Sequence, residues 1–305
     1  MNIYEESLKF HKDLKGKLEI SSRVKIENEK DLSLAYTPGV AEPCREIHKD
    51  PSTAYLYTRK WNTVAVISDG TAVLGLGDIG PLASLPVMEG KSILFKEFAG
   101  VDAFPIVLDT KEVDEIVETV VRIAPTLGGI NLEDISAPRC FEIEKKLKEK
   151  LNIPVFHDDQ HGTAIIVLSG LINALKIVNK NIEDLKIVVN GAGSAGTAIT
   201  KLLLSYGAKN IIVCDRDGAL NRDTTYTNSY FTELSNITNP NNESGILKDV
   251  IKNADVFIGV SAPNIVSKEM VASMNTDAIL FAMANPTPEI FPEDAKEAGA
   301  KVIGT

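Results

Sequence analysis

Two carboxylates stand side by side in the run Phe156-His157-Asp158-Asp159-Gln160-His161-Gly162-Thr163-Ala164. The apolar Ile153–Phe156 before them reads as the end of a buried strand, and Ile165–Val178 after them is apolar and of helix length. A strand-to-helix turn is where α/β enzymes place their chemistry, and paired acids at that turn predict a metal ion. His157 and His161, spaced like a helical ligand pair, are the rival metal reading. With Gly162 beside them and carboxylates already at hand, they read instead as neutral hydrogen-bonding groups. A second acid pair, Glu133-Asp134, follows the strand-like Gly128–Leu132. The plain alternative for that pair is a helix start, where the macrodipole favours negative charge.

Lys91 follows Gly90 at the entry to the apolar Ile93–Phe98. A lone lysine is normally a surface charge, but partial burial here would lower its pKa toward that of a usable base. Tyr36, beside Thr37-Pro38-Gly39, is a half-buried anchor or a catalyst.

The second half carries a complete βαβ pattern. Leu185–Asn190 is a strand, Gly191-Ala192-Gly193-Ser194-Ala195-Gly196 a glycine loop, Thr197–Tyr206 a helix closed by Gly207, and Asn210–Cys214 a strand ending in Asp215. The glycines admit a tight turn and close approach of a pyrophosphate, and the helix start offers donors to it. Asp215, about 20 residues past the loop, suits a ribose diol. It favours NAD over a 2′-phosphorylated cofactor, although Arg216 next to it could accept NADP. Asn285, after the strand Ala278–Met283, sits on the edge that faces the cofactor; the alternative is a turn before Pro286. The glycines of Gly75–Gly80 mimic the dinucleotide fingerprint but read as a loop passing close to something else. Pro81 follows at once, Pro86 interrupts any long crossover helix, and no acid-ended strand comes next.

The elements that must hold these residues alternate along the chain. Thr63–Ile67, a short Ala72–Leu74, Asp102–Leu108, Asp255–Val260 and Lys301–Ile303 add strands; Thr110–Ala124 and Phe141–Leu151 add helices. The segment 1–30 is polar and helical in pieces, and Asn221–Ser244 is loop or short helix. Alternation of this kind predicts parallel α/β architecture. We expect an N-terminal α/β domain for substrate and metal over residues 1–160, then a Rossmann-like, doubly wound dinucleotide-binding domain over 161–305.

A net charge of −10 argues against nucleic acid or anionic membrane as partner. Cys44, Cys140 and Cys214 fit neither a disulfide framework nor a zinc site and imply a reducing compartment. No uninterrupted apolar segment approaches bilayer length and the N-terminus has no signal core, so a cytoplasmic protein is expected.

Taken in order, Tyr36-Thr37-Pro38-Gly39-Val40-Ala41, Gly75–Gly80, Lys91, Glu133-Asp134, Asp158–Ala164, Gly191–Gly196 and Ala284-Asn285-Pro286-Thr287 resemble the malic enzymes, closest to the short bacterial type. The resemblance implies oxidative decarboxylation of L-malate to pyruvate with reduction of NAD(P). It implies Tyr36 as the acid that protonates the enolate carbon, Lys91 as the base on the malate hydroxyl and Asp158 as its tuner. Glu133, Asp134 and Asp159 would ligate a divalent metal; Gly191, Gly193, Ser194, Ala195, Gly196, Asp215, Arg216 and Asn285 would meet the cofactor. It further implies a homodimer or larger assembly in which Tyr36 reaches a neighbouring subunit's site. Two departures stand out. Ala72 occupies the position of an arginine that clamps the substrate carboxylate in larger relatives, and the family continues past a strand like Val302-Ile303 into an Asn-rich substrate-binding segment.

The chemistry is self-consistent. A base removes the hydroxyl proton while hydride leaves, and an oxygen-ligated hard cation, Mg²⁺ or Mn²⁺, polarises the ketone for loss of carbon dioxide. An amino-acid dehydrogenase also pairs a lysine with a dinucleotide domain, but it has no use for the three acids. A nucleotide-binding regulatory protein would have no use for acid, base or ligands.

Overall fold

The computed structural model describes residues 2–305, the side chain of Leu74 excepted. The chain divides into two compact units. One comprises the chain up to Val73, Gly77–Ile135 and Glu142–Phe156; the other comprises Leu74–Leu76, Ser136–Phe141 and His157–Thr305.

The first unit opens with helices α1 (Ile3–Leu14), α2 (Glu29–Ala35), α3 (Ala41–Lys49) and α4 (Ala54–Tyr57). β1 (Thr63–Ser68), α5 (Pro81–Ala99), β2 (Asp102–Val107), α6 (Val113–Ile123), β3 (Gly129–Leu132), α7 (Arg139–Lys150) and β4 (Val155–His157) follow. The strands form a sheet in the order β2-β1-β3-β4. β1 pairs in parallel with both β2 and β3. β1 and β3 are the interior strands, and Ala65, Val66, Ile67, Ile130 and Leu132 are buried at 2% exposure or less. β-branched runs buried on both faces are what parallel sheets require.

Two local expectations need correction. Pro86 does not interrupt a helix: α5 runs through it for 19 residues. Pro81 lies in the first turn, where a missing N–H costs nothing, and Pro86 then removes a single intrahelical bond. Ala72–Leu74 is not a strand. Val73 makes only an isolated bridge to Gly77, its N–H donating to the Gly77 carbonyl at 3.0 Å, because the chain doubles straight back.

The second unit holds α8 (Thr163–Val178), β5 (Lys186–Asn190), α9 (Ser194–Tyr206), β6 (Asn210–Cys214), α10 (Ser229–Ile237), α11 (Leu247–Val250), β7 (Val256–Gly259), α12 (Lys268–Ala272), β8 (Ile279–Ala282), α13 (Pro292–Glu297) and β9 (Val302–Gly304). Its sheet runs β6-β5-β7-β8-β9, all parallel. Alternate residues feed two separate cores, as a period of two demands. Ile187, Val189, Ile211, Val213, Ile258 and Phe281 meet α8 and α9 on one face. Val188, Ile212, Phe257 and Leu280 meet α12 and α13 on the other. Helices on both faces of a parallel sheet are the doubly wound arrangement.

The helical run Asp158–Val178 reaches 21 residues and by length and composition alone would suffice to cross a bilayer. It is not an uninterrupted apolar segment, since Asp158, Asp159, Ser169, Asn173 and Lys176 lie within it. Here Ala164, Val167, Leu171, Ala174 and Leu175 are buried in the unit's own core.

Candidate active site

Lys91 lies on α5 one turn past Pro86, with its side chain 21% exposed. Its Nζ stands 3.2 Å from Oε1 of Glu133, whose own side chain is 7% exposed. Glu133 is further held by Asn131, whose Nδ2 donates to Oε2 at 2.8 Å. Both acids of the first pair follow β3 directly, so they are strand-end residues and not a helix cap. Asp134 takes up φ +53°, a left-handed conformation that asparagine and aspartate tolerate and that recurs at functional sites. Its carbonyl accepts the Ala72 N–H at 2.9 Å.

β4, next to β3 in the sheet, leads into the second acid pair. Asp158–Gly162 form a single wide turn of π type that runs into α8. Such turns carry an extra residue against the helix and are frequent at functional sites. Asp158 folds its carboxylate over Gly162, where an added Cβ would stand 2.3 Å from Oδ1. His157 is fully buried in β4, and its Nε2 lies 3.8 Å from Oδ2 of Asp159, beyond hydrogen-bond length.

One carboxylate oxygen from each of Glu133, Asp134 and Asp159 lies within 4.8 Å of the others. Glu133 and Asp134 are only 5% exposed. Acids this close repel one another at low dielectric unless a cation sits among them. An all-carboxylate donor set fits a hard divalent ion, Mg²⁺ or Mn²⁺. Tyr36 is placed apart in character: it ends α2 with 65% of its surface exposed.

In the second unit the glycine loop joins β5 to α9. Gly193 is the residue before the first turn of α9, and among the described residues a Cβ added there meets nothing within 4 Å. That open space over a helix N-terminus is what a pyrophosphate needs. Gly196 is the opposite case, since a Cβ there would stand 1.7 Å from the Gly191 carbonyl oxygen. Ser194 and Ala195 open the helix between them. Asp215 follows β6 directly, and its Oδ1 accepts the N–H of Asp217 at 2.8 Å and of Gly218 at 3.1 Å. The turn thus fixes the carboxylate that a ribose diol would meet, while Arg216 is exposed beside it. Cys214, just before, has its thiol pushed up to about 12, by burial first and by the Asp215 charge second. Gly75 confirms the close-approach reading of the first glycine run: its Cβ would lie 3.0 Å from the Asn285 carbonyl oxygen.

Sequence reasoning misses Glu289. This carboxylate is 0% exposed and accepts backbone N–H groups after β7 and β8. An acid within Pro286-Thr287-Pro288-Glu289-Ile290, followed by a buried isoleucine, was the available signal.

A doubly wound parallel sheet with a glycine loop, a helix start and an acid-ended second strand defines a dinucleotide-binding α/β protein. Residues 15–148 match the family model "Malic enzyme, N-terminal domain", and residues 160–301 match "Malic enzyme, NAD binding domain". The chain is 60% identical, over its whole length and 75% of the relative's, to the bifunctional malic/malolactic enzyme of Bacillus subtilis. It is 61% identical to the NAD-dependent malic enzyme of Geobacillus stearothermophilus, spanning 63% of that protein. It is 49% identical to the NADP-dependent malic enzyme of Escherichia coli, spanning 40% of it. The crystal structure of the NAD-dependent malic enzyme of Thermotoga maritima superposes with a TM-score of 0.95 at 52% identity, over 97% of this chain and 79% of that one. The chain belongs to the malic enzyme family.

Proposed function

We propose that the protein oxidatively decarboxylates L-malate to pyruvate and carbon dioxide while reducing NAD, with Mg²⁺ or Mn²⁺ bound. The observation that carries this reading is the trio of carboxylates with the Lys91 amine 3.2 Å from one of them. A divalent cation held there would supply positive charge that polarises the substrate oxygen. Glu133, Asp134 and Asp159 would hold it. Lys91 takes the malate hydroxyl proton onto Nζ, with Asp158 tuning it. Tyr36 delivers a proton to carbon. A tyrosine 65% exposed in one chain must be covered to act, which supports a homo-oligomer in which Tyr36 serves a neighbouring copy.

The backbone of Gly191, Gly193, Ser194, Ala195 and Gly196 would cradle the pyrophosphate, and Asp215 the adenine ribose. Asn285 contacts cofactor or substrate. The fixed Asp215 carboxylate disfavours a 2′-phosphate, so NAD is the preferred cofactor and Arg216 the route by which NADP is tolerated. We assign substrate and metal to residues 1–160 and NAD(P) to 161–305, and place the protein in the cytoplasm.

A second reading is favoured by the relative named as a bifunctional malic/malolactic enzyme: decarboxylation of malate to lactate and carbon dioxide with no net change in the dinucleotide. The test is NAD reduction by L-malate with Mn²⁺ and with chelator. Metal-dependent reduction with pyruvate as product is expected. Absence of turnover in protein that still binds dinucleotide would overturn the proposal.

A further inference from the structure

Of the loops that leave the C-terminal edge of the second sheet, three are tied together, and one buried acid joins two of them. Glu289 is 0% exposed. Its Oε1 accepts the Ser261 N–H at 3.0 Å and its Oε2 accepts the Ala284 N–H at 2.9 Å. Ser261 lies two residues past β7, and Ala284 two residues past β8 and one before Asn285. The third loop is tied on by side chains: Asn190, the last residue of β5 before the glycine loop, donates from Nδ2 to Ser261 Oγ at 2.6 Å.

The placement of Glu289 is itself enforced. Its carbonyl accepts the Val266 N–H at 3.1 Å, and the neighbouring Pro288 carbonyl accepts the Asn264 N–H at 3.0 Å. Gly259 leaves the space the carboxylate fills, for a Cβ there would stand 2.4 Å from its Cδ. Among the described residues no lysine, arginine or histidine forms an ion pair with Glu289. A buried carboxylate without a counter-ion is costly, and nothing in packing alone calls for one. Charge-assisted bonds to two N–H groups are, however, shorter and stronger than neutral ones, which is what fixing two loops in register demands.

We infer that Glu289 is the positioning residue of the cofactor edge, holding the Ser261 and Asn285 loops at a fixed separation from the glycine loop. The inference rests on the reading of Asn285 and Gly191–Gly196 as cofactor contacts. Glu289 touches no substrate in this scheme; it acts through the backbone it holds.

The test uses Glu289→Gln, which keeps the size but turns an N–H donor toward one of the two backbone N–H groups. Ile187→Val, in the core of the same sheet, serves as the control for lost stability alone. NAD affinity is measured by titration, and stability of the cofactor-free protein by thermal melting. Expected is at least tenfold weaker NAD binding in Glu289→Gln, with affinity unchanged in Ile187→Val at a comparable loss of melting temperature. Faster hydrogen exchange at the Ser261 and Ala284 amides should accompany it. NAD affinity within twofold of the parent would overturn the inference. If Glu289→Gln does not fold, Glu289→Asp keeps the charge and shortens the reach, with the same expected weakening. Failure of both to fold would assign the acid to stability and refute a positioning role. If the parent itself binds no dinucleotide, the cofactor reading falls and takes this inference with it.

Discussion

Replacing Gly196 by alanine sets a methyl carbon 1.7 Å from the Gly191 carbonyl oxygen, where real Cβ atoms come no closer than 3.0 Å. The loop and the start of α9 must therefore part by about 1.3 Å, since a backbone carbonyl cannot rotate away like a side chain. Overpacking of this kind costs about 1–3 kcal/mol of stability. It also moves the helix N–H groups out of the roughly 2.7–3.2 Å range in which, on the proposed reading, they would hold phosphate oxygens. Losing one charge-assisted bond of about 1.5–3 kcal/mol weakens binding by roughly 10- to 150-fold. Gly193→Ala is the contrast. Among the described residues its Cβ meets nothing within 4 Å, so the melting temperature should move by no more than about 4 °C, the shift expected for ~1 kcal/mol. Yet NAD affinity should fall at least as far, because the methyl group occupies the space read as that of the pyrophosphate. Paired thermal melts and NAD titrations on both variants decide the matter. Refutation comes from Gly193→Ala binding NAD as tightly as the parent, or from Gly196→Ala leaving both quantities unchanged.

Other predictions follow from single sites. Lys91→Met should lower kcat by about 10²–10⁴-fold, the usual size of a general-base contribution, with NAD affinity unchanged; a loss under fivefold would contradict the base assignment. In native protein at pH 8, Ellman's reagent should label exposed Cys44 alone, since Cys140 and Cys214 are buried and burial pushes the Cys214 thiol up to about 12. Three thiols should react in denaturant, and rapid native labelling of all three would refute the burial pattern. At Asp255 burial pushes the carboxyl up, but the Lys180 ammonium at 2.8 Å, the Lys186 N–H and Asn275 outweigh it, and its pKa ends below the ordinary value. A depressed folded pKa gives stability that is complete above the unfolded value of about 3.9 and is lost as pH falls through the folded one. The melting-temperature gap between parent and Asp255→Asn should thus be widest near neutral pH and shrink below about pH 4; a gap that grows with acid would reverse the sign of the argument.

How far the sequence foretells this structure depends on how local the deciding physics is. The second sheet was readable because each strand is a short β-branched run, and burial on both faces leaves no competing register for Ile187-Val188-Val189 or Ile211-Ile212-Val213. Glu133, Asp134, Asp158 and Asp159 were readable as strand-end acids for the same reason. Pro86 misled because one missing hydrogen bond is small beside the packing of a 19-residue helix. Glu289 stayed hidden because its partners are backbone groups, one of them 28 residues away, and no side-chain pattern marks them. Tyr36 was legible as a motif, but its role depends on what covers it, and a single chain's sequence does not encode that in any local pattern.

The most direct test of the proposed reaction follows the carbon. L-malate labelled with ¹³C at the carboxylate beta to the hydroxyl carbon is given to the protein with NAD and Mn²⁺, and the products are read by NMR beside NADH absorbance. Labelled carbon dioxide, unlabelled pyruvate and NADH are expected in equal amounts, all abolished by chelator. Label retained in a four-carbon keto acid would mean oxidation without decarboxylation, and unlabelled lactate with no NADH would mean the malolactic reaction instead; either result contradicts the assignment.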